Sequence, residues 1–269
     1  MKIYENVRLA FCDSLVNLSK LGQIVENPIW QGTETKSNPS ANEMVELLNL
    51  SFQAKMPDSK KELTRLLQFD SIPSVEGWAE EHFQERVSGI PYNPPPSFVR
   101  WQNGTSGDYM MGQDELFSHT YPERFWINKI RPEGVRFKNG NLDSIVNILK
   151  ANPNSRQAFL PMVLPEDLTA SEQNERIPCS LGWHFIQRKG YLHLFYSLRS
   201  CDAIRHFIND LYMAVRLTQW VRDKAFENEN VKLGLITFVA VSFHCFKNDK
   251  FALNNLIKSF NPVPVSKKK

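Results

Sequence analysis

At 269 residues and 31.1 kDa, the chain is long enough to bury a substantial core. Hydrophobic residues at 42% and charged residues at 23% are ordinary for a globular protein, which argues against disorder and against an integral membrane protein. A net charge of +3 is too small to imply a nucleic-acid surface, and Lys267, Lys268 and Lys269 read as a solvated, mobile end to the chain over 261–269.

Residues 1–23 mix Glu5, Arg8, Asp13 and Lys20 with apolar side chains, so no signal peptide is expected there and a cytoplasmic location is. The spacing of Val7, Leu9, Phe11, Leu15, Val16, Leu18 and Leu21 predicts a helix over 7–21, ended near Asn27-Pro28 and Gly32, with the first strand after it. Residues 43–54 carry Val45, Leu47, Leu48, Leu50 and Phe52, a run that periodicity alone leaves open between strand and helix. A helix is predicted over 74–87, with Glu76, Glu80 and Glu81 at its start and Ser88-Gly89 at its end. Pro94, Pro95 and Pro96 and the polar stretch 102–107 mark a long loop near 90–115.

Asn141 is expected to open a helix with Leu142, Ile145, Val146 and Leu149 on one face, closed by Asn152-Pro153. Residues 159–164 form a short apolar run, and 181–197 alternate around Lys189-Gly190, the pattern of a hairpin. Asp202 is expected to cap a long helix running to about Phe226, on the apolar spacing of Ile204, Phe207, Ile208, Leu211, Tyr212 and Val215. The longest apolar run, 233–246, is too short to cross a bilayer and reads as a buried strand. No internal repeat divides the chain, so the order of elements predicts one α+β domain over 1–269, a central mixed sheet covered by helices on one side.

Four cysteines, Cys12, Cys179, Cys201 and Cys245, are widely spaced without metal-ligand pairing, which predicts free thiols and no metal site. Asp210 sits among Phe207, Ile208 and Leu211, where a carboxyl group is costly unless it has a partner or faces solvent. His244 lies in the apolar run 233–246, a place where a satisfied core histidine is the ordinary reading.

Pro178-Cys179, followed twenty positions after the cysteine by Arg199-Ser200-Cys201-Asp202, resembles the active-site core of the thymidylate synthase superfamily. Ser242-Phe243-His244-Cys245-Phe246 is similar to that family's sugar-binding strand, and Asn154-Ser155-Arg156 to the loop that carries an arginine into the partner's phosphate site. The family's pyrimidine-reading asparagine, eleven residues after the phosphate arginine, is replaced by Asp210, which resembles the deoxycytidylate (dCMP) 5-hydroxymethylases of T-even-type phages. The segment Glu46-Leu-Leu-Asn-Leu-Ser-Phe-Gln-Ala-Lys-Met-Pro57, together with Tyr121 and Trp126, resembles the same enzymes and favours a strand over 43–54.

The resemblance implies a thymidylate synthase-like fold whose sheet face forms a homodimer interface. It implies Cys179 as the nucleophile at C6 of the pyrimidine, with 5,10-methylenetetrahydrofolate as co-substrate and a 5-hydroxymethyl nucleotide as product. Arg199, Ser200 and the partner subunit's Arg156 would hold the phosphate of dCMP, His244 the sugar and Asp210 the cytosine edge. Tyr121 would stand in the substrate wall, and Asp202 and Trp126 at the folate. The catalytic carboxylate would come from Ala79-Glu-Glu-His-Phe-Gln-Glu-Arg86, with Glu81 first and Glu85 second, Glu80 remaining open. Gln157 and Phe246 depart from the family's arginine and tyrosine, as does the C-terminal segment. Rival readings are methyl transfer giving 5-methyl-dCMP or dTMP with dihydrofolate, and a non-catalytic nucleotide-binding relative.

Overall fold

The computed structural model describes residues 2–26, 29–30, 33–34, 43–100, 116–126, 142–173 and 175–260. Asn27-Pro28, Gly32, the stretch 102–107, Asn141 and the tail 261–269 lie outside them. The chain runs β1 (Ile3–Tyr4), α1 (Val7–Leu21), β2 (Gln23–Val25), β3 (Ile29–Trp30), β4 (Thr33–Glu34), β5 (Met44–Lys55), α2 (Lys60–Leu66) and α3 (Trp78–Val87). It continues through α4 (Tyr121–Phe125), α5 (Leu142–Ala151), β6 (Phe159–Pro161), α6 (Glu166–Glu172), β7 (Ser180–Arg188), β8 (Tyr191–Asp202), α7 (Phe207–Ala225), β9 (Lys232–Phe246) and α8 (Lys250–Ser259). The expected α+β class holds: one mixed sheet of order β1-β5-β9-β8-β7-β6, with β2 also on β5, has α7 across β8 and β9 and the other long helices beside it.

Local chemistry explains the boundaries. The Asn6 side chain accepts from the Leu9 amide at 3.0 Å and starts α1, which spans the expected residues. Lys189 and Gly190 both take positive φ, at 52° and 78°, the twist that a two-residue hairpin loop between β7 and β8 requires. The run expected over 43–54 is strand β5, Met44–Lys55, paired with β9 on both sides of Asn49.

Four boundaries differ from expectation. The first strand precedes α1, because Ile3 and Tyr4 pair in parallel with Gln53 and Ala54, too short a stretch to leave a periodic signal. The helix predicted over 74–87 begins at Trp78; Gly77 donates to the Ser74 carbonyl in a preceding turn, so Glu76 lies outside it. The strand in 159–164 ends at Pro161, whose missing N–H cannot extend the ladder. Asp202 ends β8 rather than capping α7: its Oδ1 accepts from the Ile204 and Arg205 amides, both at 2.9 Å, and the helix starts at Phe207.

The alternation of the central strands breaks along one line. Core positions run Leu192, Leu194, Tyr196, Leu198 and then Cys201 in β8, and Ile236, Phe238, Ala240 and then Phe243 in β9, a step of three where a strand takes two. Arg199, Val241 and Asn49 fall at the break in three adjacent strands, Asn49 with φ 55°, and β7 shifts register between Ser180 and Gly182. Ser200, Asp202, Ser242 and His244 therefore leave the core phase at one end of the sheet, next to Cys179.

Phe207 pins α7 to that end. Its ring stacks on Phe11 at 5.1 Å and meets Phe238 at 5.3 Å, Phe243 at 4.8 Å and Phe52 at 6.3 Å, so it joins α1, α7 and three strand positions. Removing a fully buried ring leaves a cavity that surrounding rings close only in part. Phe207→Ala is expected to lower unfolding free energy by about 3–5 kcal/mol, read from urea denaturation at constant m-value.

Candidate active site

Cys179 sits where the chain enters β7, and Arg199 fixes it from the adjacent strand. The Arg199 amide donates to the Cys179 carbonyl at 2.8 Å, Nε to Pro178 O at 2.9 Å and Nη2 to Ile177 O at 3.0 Å, with Nη2 4.0 Å from the Cys179 sulfur. Arg199 thus clamps three consecutive carbonyls and brings its charge to the thiol. On the other side, the Ser180 amide donates to the Tyr121 hydroxyl at 3.1 Å, and the Ser180 and Tyr196 hydroxyls bond at 2.7 Å.

Cys179 is the exposed cysteine of the four; Cys12 is half-buried and Cys201 and Cys245 are buried. Enclosure by the surrounding protein pushes its thiol up, the Arg199 guanidinium pulls it down, and Asp210 pushes it up again, leaving it above the ordinary thiol value. The expected help from Arg199 is present but outweighed in this state. Burial pushes Cys12 to about 11 and Cys245 to about 12.

Asp210 lies on the first turn of α7, with its Oδ2 3.7 Å from the Cys201 sulfur. Burial raises its carboxyl, against the opposing pull of His206 and Arg86, so the proton is held more tightly than on a solvated aspartate. Cys179, Asp210, Tyr121 and Tyr196 influence one another electrostatically and form one cluster.

The three candidate glutamates of α3 have different surroundings. Glu80 accepts from the Tyr212 hydroxyl at 2.6 Å, Gln84 at 2.8 Å and Arg216 at 3.0 and 3.1 Å, and lies 3.4 Å from Lys60. Glu85 accepts from the Ser97 hydroxyl at 2.7 Å, from the Ser97 amide and from His82 at 3.2 Å. Burial alone would raise both carboxyls; these bonds bring Glu80 to about 2 and hold Glu85 below its ordinary value. Both are therefore committed to packing α3 against α7 and against the 96–100 turn. Glu81 is half-buried on the same helix.

At the strand ends Asp202 pairs in register with His244, and Ser200 with Ser242. Ser242 gives a short hydrogen bond to Glu46 and lies 3.4 Å from His244 Nδ1, while burial pushes His244 below its ordinary value. Trp126 is buried and donates its indole N–H to the Arg86 carbonyl at 2.8 Å. Arg156 stands apart: its side chain is exposed in the loop between α5 and β6, and its carbonyl bonds His184 at 3.0 Å. Among the described residues no group of three His, Cys, Asp or Glu is placed to hold a metal.

Sequence reasoning passed over Arg86, Tyr196 and Ser180. Tyr196 and Ser180 look like ordinary alternating strand residues, and only their pairing across β7 and β8 reveals the hydroxyl chain. Arg86 follows the acidic run of α3 as a common helix-end base, yet it is 4% exposed.

Comparison with a solved structure, the thermostable thymidylate synthase A from Bacillus subtilis, gives a TM-score of 0.66 at 14% identity, covering 93% of this chain and 83% of that one. The fold is that of thymidylate synthase. No family model matches the chain. Proteins named "Putative thymidylate synthase" are similar in sequence: from Methanosarcina barkeri, 27% identical over 71% of this chain and 74% of that protein, and from Methanosarcina mazei, 25% identical over 87% and 89%. One from Methanocaldococcus jannaschii is 26% identical over 57% of this chain and 65% of its own length. Within this thymidylate synthase fold, Cys179, Arg199 and Asp210 converge at the broken end of the sheet.

Iodoacetamide is expected to modify Cys179 before Cys12, Cys201 and Cys245, and Arg199→Ala to move the pH midpoint of that modification upward, both read by peptide mass spectrometry. Initial labelling at Cys201 would contradict the geometry.

The Glu80 folded value of about 2 lies below the ordinary 4.5, so its contribution is full above about 4.5 and is lost as pH falls through about 2. Glu80→Gln is expected to cost on the order of 2–3 kcal/mol at pH 7, with the difference from the parent shrinking between pH 4.5 and 2 in urea titrations.

Proposed function

We propose that this protein is a folate-dependent one-carbon transferase acting on C5 of dCMP, with 5-hydroxymethyl-dCMP as product. The observation that carries the reading is the convergence of an accessible thiol, the Arg199 guanidinium 4.0 Å from it and the Asp210 carboxyl, whose proton affinity burial raises, in one cluster. The archaeal relatives and the shared fold support the reaction class.

Cys179 acts as thiolate and bonds to C6 of the pyrimidine, which moves an electron pair toward C5 and makes that carbon nucleophilic. Enclosure opposes the thiolate in the free protein, so loss of the thiol proton is coupled to nucleotide binding, with Arg199 stabilising the anion. Asp210 faces the cytosine edge: it accepts from the exocyclic amino group and shares its proton with N3, which compensates the density arriving from C6. 5,10-Methylenetetrahydrofolate, when bound, supplies the one-carbon unit. Asp202, whose Oδ2 lies 3.8 Å from Arg205 Nε, is assigned to the pterin, and Trp126, buried in the ligand-free protein, to the wall of the folate pocket. Once C5 has given up its proton to solvent and the transferred carbon has parted from tetrahydrofolate as an exocyclic methylene, Glu81 orients the water that adds its hydroxyl there and releases its other proton, after which Cys179 departs from C6 and the C5=C6 bond is restored.

Arg199 Nη1 has no hydrogen bond to a described residue and joins the Ser200 hydroxyl at the nucleotide phosphate. Arg156, exposed and remote from its own Cys179, completes the partner subunit's phosphate site in a homodimer formed through the open sheet face. That face carries the register file His184, Phe195, Thr237 and Gln53, with Phe195 43% exposed. His244 with Ser242 and Glu46 contacts the sugar, and Tyr121 lines the base pocket.

The names of the archaeal relatives favour a second reading, methyl transfer with dihydrofolate as the folate product. Absorbance at the dihydrofolate band during turnover separates the two.

Incubation with dCMP tritiated at C5 is expected to release tritium to water, and Cys179→Ser to reduce that release by at least a thousandfold. Asp210→Asn is expected to shift preference toward dUMP by at least tenfold in kcat/KM, because an amide both donates and accepts. Undiminished release from Cys179→Ser would remove the covalent mechanism, and no release from the parent protein would leave a nucleotide-binding relative.

A further inference from the structure

Arg86 is a buried cation to which the mechanism above gives no task. The residue is 4% exposed, its Nε has no hydrogen-bond partner, and its guanidinium carbon lies 4.1 Å over the Tyr121 ring. The other enclosed arginines are handled differently. Arg216 is paired with Glu80, and Arg124 grips Asp167 through two bonds of 2.7 and 3.1 Å. Among the described residues no carboxylate forms an ion pair with Arg86. A guanidinium taken out of water without an anion or acceptor loses hydration that a ring face restores only in part.

Its place in the fold says where the missing acceptor comes from. Arg86 lies over the ring of Tyr121, and the Tyr121 hydroxyl accepts from the amide of Ser180, the residue after Cys179. Its charge acts on Tyr121, Tyr196 and Asp210, the groups of the candidate base pocket, and among these it opposes the proton affinity of Asp210. The Trp126 indole bonded to the Arg86 carbonyl fixes the helix end that carries it. An orphaned donor is thus held on a rigid element beside the acid assigned to the base edge.

We propose that Arg86 is a base-contact residue, donating from Nε–H to the pyrimidine acceptor next to the edge read by Asp210. With the amino group and N3 of cytosine taken by Asp210, this acceptor is O2, which uracil also carries. An arginine donor beside the Asp210 carboxyl completes the recognition of that edge, and the Arg86 charge faces the electron density that Cys179 addition delocalises from C5 through N3 toward O2. The inference rests on the pyrimidine-nucleotide reading above, and it makes the empty Nε a device that the ligand completes.

The test uses the full chain with dCMP and dUMP as titrants in calorimetry, alongside thermal melts and C5-tritium release. Arg86→Met is expected to weaken binding of the preferred nucleotide at least tenfold, while the Tm of the ligand-free protein stays the same or rises because a buried charge with no ion pair to a described residue is gone. A structural role predicts the reverse, a lower Tm with parent-like affinity, and that result overturns the proposal. Should Arg86→Met fail to fold, Arg86→Lys decides: affinity reduced at least threefold supports the contact, and parent-like affinity overturns it. Weaker binding in the variant, with no tritium release from the parent, keeps the Arg86 contact and removes the transferase reading. Equal binding and equal release in parent and variant removes the Arg86 contact alone, and a parent that binds neither nucleotide overturns it as well.

Discussion

The break in strand phase that crosses Asn49, Val241, Arg199 and the Ser180 to Gly182 step is the constraint on which the site depends. A strand that alternates without interruption sends every second residue into one core. Here the alternation serves the core up to Leu198 and Ala240 and then slips, so the next polar residues, Ser200, Asp202, Ser242 and His244, leave the core side together. The slip costs little where it is made: Asn49 takes the left-handed conformation that asparagine tolerates better than most residues, and Arg199 spends its donors on the carbonyls of the neighbouring segment. Phe207 then fixes α7 against the same end of the sheet and puts Asp210 one turn along.

The molecule divides its buried charges into two kinds. Glu80 with Arg216 and Tyr212, Glu85 with Ser97 and His82, and Asp167 with Arg124 are closed sets in which each carboxylate meets matched donors. Such sets fix one helix against another and cost little once formed, because desolvation is compensated within the protein. Cys179, Asp210 and Arg86 are of the other kind. Their surroundings press the thiol and the carboxyl toward their neutral forms and leave the Arg86 Nε unbonded. Polar groups whose demands the protein does not meet mark the place where a ligand meets them.

This division also separates the three glutamates of α3, which are equivalent as a sequence motif. Their partners come from distant segments: Tyr212 and Arg216 lie far along the chain on α7, and Ser97 follows a proline-rich loop. A helix turns by about 100° every residue, so neighbours on one helix face different partners. Which glutamate faces which partner is a property of packing.

Elements with strong local signals were legible in the sequence: α1 from its apolar spacing, the β7–β8 hairpin from Lys189-Gly190, α5 from its one apolar face, and β9 as the longest apolar run of the chain. Cys179, Arg199 and Asp210 came forward as a set through the resemblance of their spacing to the thymidylate synthase superfamily, since a lone cysteine reads as an ordinary core residue. Tertiary structure alone decided the rest. The two-residue strand β1 exists only because β5 is there to pair with it, and the start of α7 moved from Asp202 to Phe207 because β8 keeps pairing with β9 as far as His244. The burial of Arg86 with its Nε unbonded is likewise invisible in its local sequence, because desolvation depends on every atom that surrounds a charge, whichever segment supplies it.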